Sequence, residues 1–349
     1  MALCVSCKGC KRECPTGVDM AKMKIEFLYH YKQKHGLSLR DRLIAFLPRY
    51  APYMAPFAPL LNLRNRVPAL ASIGEKVLGF SARRSLPEWS RDYYRGSTDT
   101  GPTGGRDVML LVDTFNRYFE PENARAAERV LARAGYRVTT PEPAVGRPLC
   151  CGRTFLAAGM VDEAREEMRR MLDALMPAVA IGMPIVGLEP ACLLTLRDEF
   201  PSLLPGDETR DLAGRAQLFE EFVASERAAG RFDLPLFAMD KTVLLHGHCH
   251  QKAFGTAMAA ADALRIIPEL KVETFDSTCC GMAGSFGLEA EHYEVSLKIG
   301  ELGVLPKMRA AAPDTVLAAC GTSCRHQIAD AAARDARHIV RILDEASTL

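Results

Sequence analysis

The sequence predicts an α/β protein in which two duplicated, cysteine-rich parallel-sheet units follow a small helical head. Three observations carry that expectation. Short apolar runs alternate with stretches of helical periodicity from Val108 onward. The order strand, helix, strand, Cys-Cys-Gly, helix, strand, cysteine occurs twice. Ahead of both copies stands the run Cys4-x2-Cys7-x2-Cys10-x3-Cys14-Pro15.

Taken in chain order, Cys4, Cys7 and Cys10 lie three residues apart on a tight loop. This is the ligand spacing of a ferredoxin-type iron–sulfur cluster, and Pro15 turns the chain out of it. In such runs the fourth cysteine ligates a second cluster, so Cys14 lacks companions and the first three need a ligand from elsewhere. Residues 1–35 are therefore read as a partial ferredoxin-type head, with the companion run upstream in a longer protein or on a split gene product. A single cluster closed by Cys14 and a zinc site are the alternatives. Met20–His35 reads as the head's helix.

Residues 36–106 form a connector. Pro48, Pro52, Pro56, Pro59 and Pro68 break Leu43–Phe80 into short helical pieces. None reaches the run of about 18 apolar residues that a membrane span needs. The segment suits a membrane surface, a partner, or a cover over the head. Gly96–Arg106 reads as a flexible linker.

With 349 residues, 48% of them hydrophobic, the chain can bury a sizeable core. Its net charge of +1 is unevenly spread: residues 1–100 hold 17 Lys/Arg against 8 Asp/Glu. That basic end fits an acidic partner, an anionic membrane face or a merely solvated helix surface. Neighbouring Cys150/Cys151 and Cys279/Cys280 suit metal centres better than disulfides. No apolar leader follows Met1, so a reducing, cytoplasmic compartment is expected, with peripheral contact on the inner membrane face left open.

The first unit, residues 107–230, should contain strands Val108–Asp113, Tyr136–Thr140 and Ile185–Leu188 with helices Pro121–Ala134 and Val161–Leu175. The second, residues 231–349, should contain strands Thr242–His246, Val272–Phe275 and Thr315–Ala319 with helices Gln251–Ile266 and Glu289–Leu302. Strand exits on one edge of a parallel sheet converge, which is where such folds bind ligands. Cys249, Cys279, Cys280, Cys320 and Cys324 are thus expected to meet as metal ligands. Gly281 permits a tight bend, and Gly284 and Gly287 are placed to donate N–H groups to sulfur. Setting Leu110-Leu111 on Leu244-Leu245 puts Phe115 opposite Cys249 and Leu188 opposite Cys320. The first copy then keeps only Cys150, Cys151 and Cys192. These are weaker metal candidates, which also fit buried small hydrophobes. His248 and His250 are candidates for a proton relay beside the second centre, with backbone hydrogen bonding as the plainer role. No Gly-x-Gly-x-x-Gly, Walker loop or Gly-x-Ser-x-Gly is present, so no flavin or nicotinamide site is read on this chain.

The cysteine run with Pro15-Thr-Gly-Val-Asp-Met-Ala-Lys22, His246–Lys252 (HGHCHQK), Ser277–Gly287 (STCCGMAGSFG) and Gly321–Ile328 (GTSCRHQI) carry a resemblance. The chain resembles the carboxy-terminal iron–sulfur half of FAD-linked 2-hydroxyacid oxidoreductases, of the glycolate oxidase and D-lactate or D-2-hydroxyglutarate dehydrogenase type. Its Cys-Cys-Gly (CCG) segments are also similar to those of heterodisulfide reductase and of the iron–sulfur subunit of anaerobic glycerol-3-phosphate dehydrogenase. The resemblance implies [4Fe-4S] clusters, one or two, FAD on a partner domain or subunit, and a quinone or other acceptor. It implies ligand roles for Cys4, Cys7, Cys10, Cys14, Cys249, Cys279, Cys280 and Cys324, with Cys320 less closely matched. Two further readings stand beside it: a cluster-based thiol–disulfide reductase leaning on Cys320, and a zinc-stabilised interaction module without enzymatic activity.

Overall fold

Two parallel sheets of four strands each, built to the same plan, organise the computed structural model, which describes residues 1–97, 99–142 and 146–348. The first holds β1 (Arg106–Leu111), β2 (Tyr136–Thr139), β3 (Ile185–Gly187) and β4 (Ala216–Leu218), in the order β2-β1-β3-β4. The second holds β5 (Thr242–His246), β6 (Lys271–Thr274), β7 (Val316–Ala319) and β8 (Ala336–Arg337), in the order β6-β5-β7-β8. Every pairing within them is parallel. The duplicated α/β architecture expected from the sequence is therefore present. The edge strands β4 and β8 have no counterpart in the sequence pattern; they are too short to show a period.

Strand parity explains how the two sheets become one body. Side chains alternate faces along a strand. Val108, Leu110, Val186 and Leu188 from the first unit and Val243, Leu245, Ala318 and Cys320 from the second all enter one shared core. Helices Pro121–Arg133 and Ile339–Ala346 pack against each other in that layer. The opposite parity, Leu111 and Ile185 or Leu244, Leu317 and Ala319, faces a separate core on each outer side. The inner strands β1, β3, β5 and β7 are covered on both faces and so read as apolar runs, whereas the edge strands β2 (YRVT) and β6 (KVET) mix polar and apolar residues and β6 is largely exposed.

Three helices depart from expectation. The stretch expected as Gln251–Ile266 is two helices, Cys249–Ala253 and Ala257–Leu264, parted at Gly255 with φ +72°. Val161–Ala180 runs past its expected end, and the helix expected from Glu289 starts at Tyr293. The connector is a chain of short helices, Leu39–Ala45, Leu47–Met54, Ala58–Leu61, Leu63–Arg66 and Pro68–Leu78. Among the described residues no helix is long and apolar enough to cross a membrane. Within Gly96–Arg106, Thr98 lies outside the described residues. Thr100 exchanges hydrogen bonds with Val138 at 3.1 and 2.7 Å, tying that segment to the edge of β2.

The register corrects the alignment of the two copies. Leu111 pairs with Gly187 as His246 pairs with Ala319. Asp113 and His248 then cap equivalent helices, each accepting a backbone N–H two residues on. Thr114, rather than Phe115, therefore stands where Cys249 stands, while Leu188 does match Cys320.

Candidate metal centre

In each sheet the strand order reverses between the first and third strands, and ligand sites form beyond such a switch point. In the second unit three segments leave it. Cys249 opens the helix after β5, Cys279 and Cys280 lie in the loop after β6, and Cys324 sits in the first turn of Thr322–Ala332 after β7. Their thiols form a chain of contacts, Cys249 to Cys279, Cys279 to Cys280 and Cys280 to Cys324. All twelve cysteines are free thiols. The Cys279 thiol beside it, and then burial, push Cys249 well above the usual thiol range. Thiols crowded together in this way, with Arg153 and Lys252 as their cationic neighbours, suit a metal centre that takes them as thiolates.

Cys320 is not among them. It follows β7 with the parity of Ala318 and enters the shared core, beside Glu220, Gln251 and Arg325. The turn around the others is held by contacts that the sequence did not suggest. Gly284 N–H donates to Ser323 Oγ at 3.1 Å and Gly287 N–H to the Met282 carbonyl at 2.8 Å, so neither serves sulfur. Gly281 N–H points instead at Cys279 Sγ, at 3.4 Å. Gly281 has φ +92°, and a Cβ there would lie 2.1 Å from the Ser296 carbonyl oxygen. Gly281→Ala is expected to cost about 2 kcal/mol or more and to displace Cys280. A thermal melt together with thiol accessibility to a maleimide would check it.

The head docks against this group. Cys7 lies close to Cys4, Cys10 and Cys249, and Cys10 Sγ accepts the Met20 N–H at 3.3 Å. Cys14 lies apart, its thiol 3.1 Å from the Thr16 hydroxyl, which holds it below the usual thiol range. His250 Nε2 donates to the Ser6 carbonyl at 3.0 Å and so ties the head's loop to the second unit. His248 Nδ1 accepts the His250 N–H at 3.2 Å. Burial holds both imidazoles well below their ordinary range, His248 at about 3. The strongest anchor is Lys8, 2% exposed, whose ammonium reaches Asp198 and, at 2.6 Å, Glu199. A lysine between two cysteines of a loop reads as solvated from sequence, so this link had no signal.

In the first unit Cys151 lies between Cys150 and Cys192, which together hold it well below the usual thiol range. Thr114 replaces a fourth thiol, and two carboxylates, the half-buried Asp113 and the buried Glu189, stand close by. Burial, then the charge of Asp113, raises Glu189 to about 7. Glu189 accepts hydrogen bonds from Ala191 N–H at 3.3 Å and, across the units, from Thr322 N–H at 2.8 Å. A second link between units joins Glu120 to Arg325 Nε at 2.8 Å. Burial alone would raise Glu120, but Arg325 more than offsets this and holds it at about 2. Its free carboxyl would titrate higher, so this pair stabilises the fold above about pH 4.5 and loses that contribution as pH falls toward 2. With 32% of the Glu120 side chain exposed, about 2 kcal/mol is expected. Melting temperatures from pH 7 to pH 3 should fall less steeply for Glu120→Gln than for the native chain.

Between the two units and the connector lies a chamber of about 670 Å³. Leu43, Leu47, Met54 and Trp89 line its apolar side, and Cys4, Cys249, Cys279 and Cys280 reach its other wall with His248 and His250. Glu289 and His292, 2.9 Å apart, are polar groups on its lining.

A family model of the cysteine-rich domain, CCG, matches residues 114–197 and 243–329, one match in each unit. Over 314 residues the chain is 27% identical to a subunit of the anaerobic glycerol-3-phosphate dehydrogenase of Escherichia coli (strain K12), covering 88% of this chain and 77% of that one. It is 27% identical over 360 residues to the D-2-hydroxyglutarate dehydrogenase of the same strain, covering 99% of this chain but 34% of that protein. Lactate utilization protein A of Bacillus velezensis (strain DSM 23117 / BGSC 10A6 / LMG 26770 / FZB42) is 25% identical over 190 residues, 52% of this chain and 75% of that one. The chain is thus built on two copies of the CCG cysteine-rich domain, and it is homologous to a subunit of one dehydrogenase and to about a third of the length of another.

Proposed function

We propose that this chain is the iron–sulfur electron-transfer module of a flavin-dependent 2-hydroxyacid dehydrogenase, taking electrons from reduced FAD on a partner domain or subunit and passing them to a quinone or other acceptor. One observation carries the reading: Cys7 of the head lies beside Cys249 of the second thiol group, with His250 bonded to Ser6, so the two candidate ligand sets meet at one contact. Similarity to a dehydrogenase subunit on one side and to part of a longer dehydrogenase on the other supports a module that works with a flavoprotein.

The donor set fits an iron–sulfur group. Cys249, Cys279, Cys280 and Cys324 would hold the second centre, and Cys4, Cys7 and Cys10 would supply three ligands to the first. Cys14, bonded to the Thr16 hydroxyl, would stand outside this set. Cys150, Cys151 and Cys192 would make at most a three-thiolate site. A bound [4Fe-4S] cluster supplies one-electron transfer with little change of geometry. The chain's own contribution is to hold the two ligand sets together through Lys8 and His250, to bury Cys279, Cys280 and Cys324, and to present neutral His248 and His250 as a proton path along the chamber wall. Cys320 stands outside the thiol group, which removes the extra ligand on which the disulfide-reductase reading leaned.

The test is to purify the chain anaerobically, count iron and sulfide, and titrate it with a reduced flavoprotein dehydrogenase from the same cells. Two reducible centres filled from the flavin support the proposal. A colourless protein that binds only zinc would end it.

A further inference from the structure

The connector is a helical layer with an apolar inner face and an apolar outer one. Its inner side, including Leu47, Met54, Leu61 and Leu78, lines the chamber. Its outer side should then be polar, as on a surface helix of a soluble domain. It is not. Fifteen residues between Tyr53 and Val77 are exposed, and twelve of them are apolar; the others are Arg66, Ser72 and Lys76. Phe57 is 56% exposed, Leu60 66%, Ile73 57% and Val77 67%. No exposed residue in that stretch is acidic, and among the described residues neither Arg66 nor Lys76 pairs with a carboxylate.

We propose that this outer face seats the protein on an anionic bilayer surface, the apolar side chains entering the headgroup boundary and Arg66 and Lys76 meeting lipid phosphates. Two features favour lipid over a protein partner. A protein interface carries about one hydrogen bond per 100–200 Å² and a polar rim, whereas this face offers only Tyr53 and Ser72 as uncharged hydrogen-bonding side chains. Basic residues flanking an apolar face of short helices match the chemistry of interfacial binding to anionic lipid. Since no described helix can cross a bilayer, attachment through this face is peripheral. The inference deepens the proposed function by placing its acceptor side at a membrane. Vesicle binding is measured without electrons, so it fails or succeeds separately from iron content.

The experiment is flotation of the purified chain with vesicles of phosphatidylcholine alone and of phosphatidylcholine with phosphatidylglycerol. Binding to the mixed vesicles is expected to weaken as salt rises. Leu60→Glu with Ile73→Glu should lower it about tenfold or more. Arg66→Glu or Lys76→Glu should each lower it about fivefold on the anionic vesicles alone. All four side chains are exposed, so melting temperature and iron content should not move, and a variant that changes them is replaced by Leu60→Gln with Ile73→Gln. Three results would overturn the proposal: no binding to either vesicle, binding indifferent to these substitutions, or self-association through this face, abolished by Leu60→Glu, without vesicle binding. Loss of vesicle binding when the flavoprotein is added would assign the face to that protein instead.

Discussion

Cys280→Ala is expected to lose about four irons per chain, the content of one cubane cluster, while the head keeps whatever iron it carries. Cys280 touches Cys279 on one side and Cys324 on the other, so its removal opens the middle of the thiol group. Cys320→Ala is the matched control. It is equally buried and only four residues from Cys324, yet its side chain enters the shared core, so the iron count should stay at the native value. Iron and sulfide analysis, with the electron paramagnetic resonance spectrum of the reduced protein, separates the two. Equal losses from both substitutions would mean that the second centre is not organised by Cys249, Cys279, Cys280 and Cys324.

Lys8→Met should destabilise the chain by about 3 kcal/mol or more, since removing one partner of a buried ion pair strands the other. Asp198 and Glu199 would be left buried, with Lys11 and Lys22, both 2.8 Å from Asp198, and Arg153, 2.9 Å from Glu199, as partial compensation. Burial pushes the Asp198 carboxyl up, but Lys8 and its neighbouring lysines more than offset that and hold it well below the usual range. This contribution is present above the free carboxyl's pKa and disappears as pH falls, so the difference between native and Lys8→Met should shrink in acid. Adding Asp198→Asn and Glu199→Gln should recover part of the loss at neutral pH. Thermal melts of the three proteins at pH 7 and pH 4 check both statements. The same substitution should free the head from Cys249 and slow the electron passage proposed between the two thiol groups.

Much of this architecture is visible in linear form. The inner strands follow from apolar runs because both their faces are covered, and the duplication follows from the repeated placing of Cys-Cys-Gly. The connector is broken into short helices, with Pro48, Pro59 and Pro68 in the first turns of three of them, but Pro52 lies inside Leu47–Met54 and one break falls at Asn62 without a proline. Errors arise where one residue of register matters. Matching leucines sets Phe115 opposite Cys249 because it cannot distinguish adjacent positions, while hydrogen-bond pairing and helix caps can. Gly284 and Gly287 carry the right freedom for a cluster-binding turn, but their N–H groups are satisfied by Ser323 and by Met282.

Cysteine spacing and periodicity are short-range properties, and from them alone came the kind of chemistry, the two-unit plan and the candidate ligands. Which thiols meet is a long-range property. Cys320 is turned away from Cys324 by the parity of a strand packed between two sheets. Lys8 is made an anchor by carboxylates 190 and 191 residues distant. The connector's outer face is conspicuous only once its inner face is covered by the two units. Burial depends on what the folded chain brings near, and no local pattern records it.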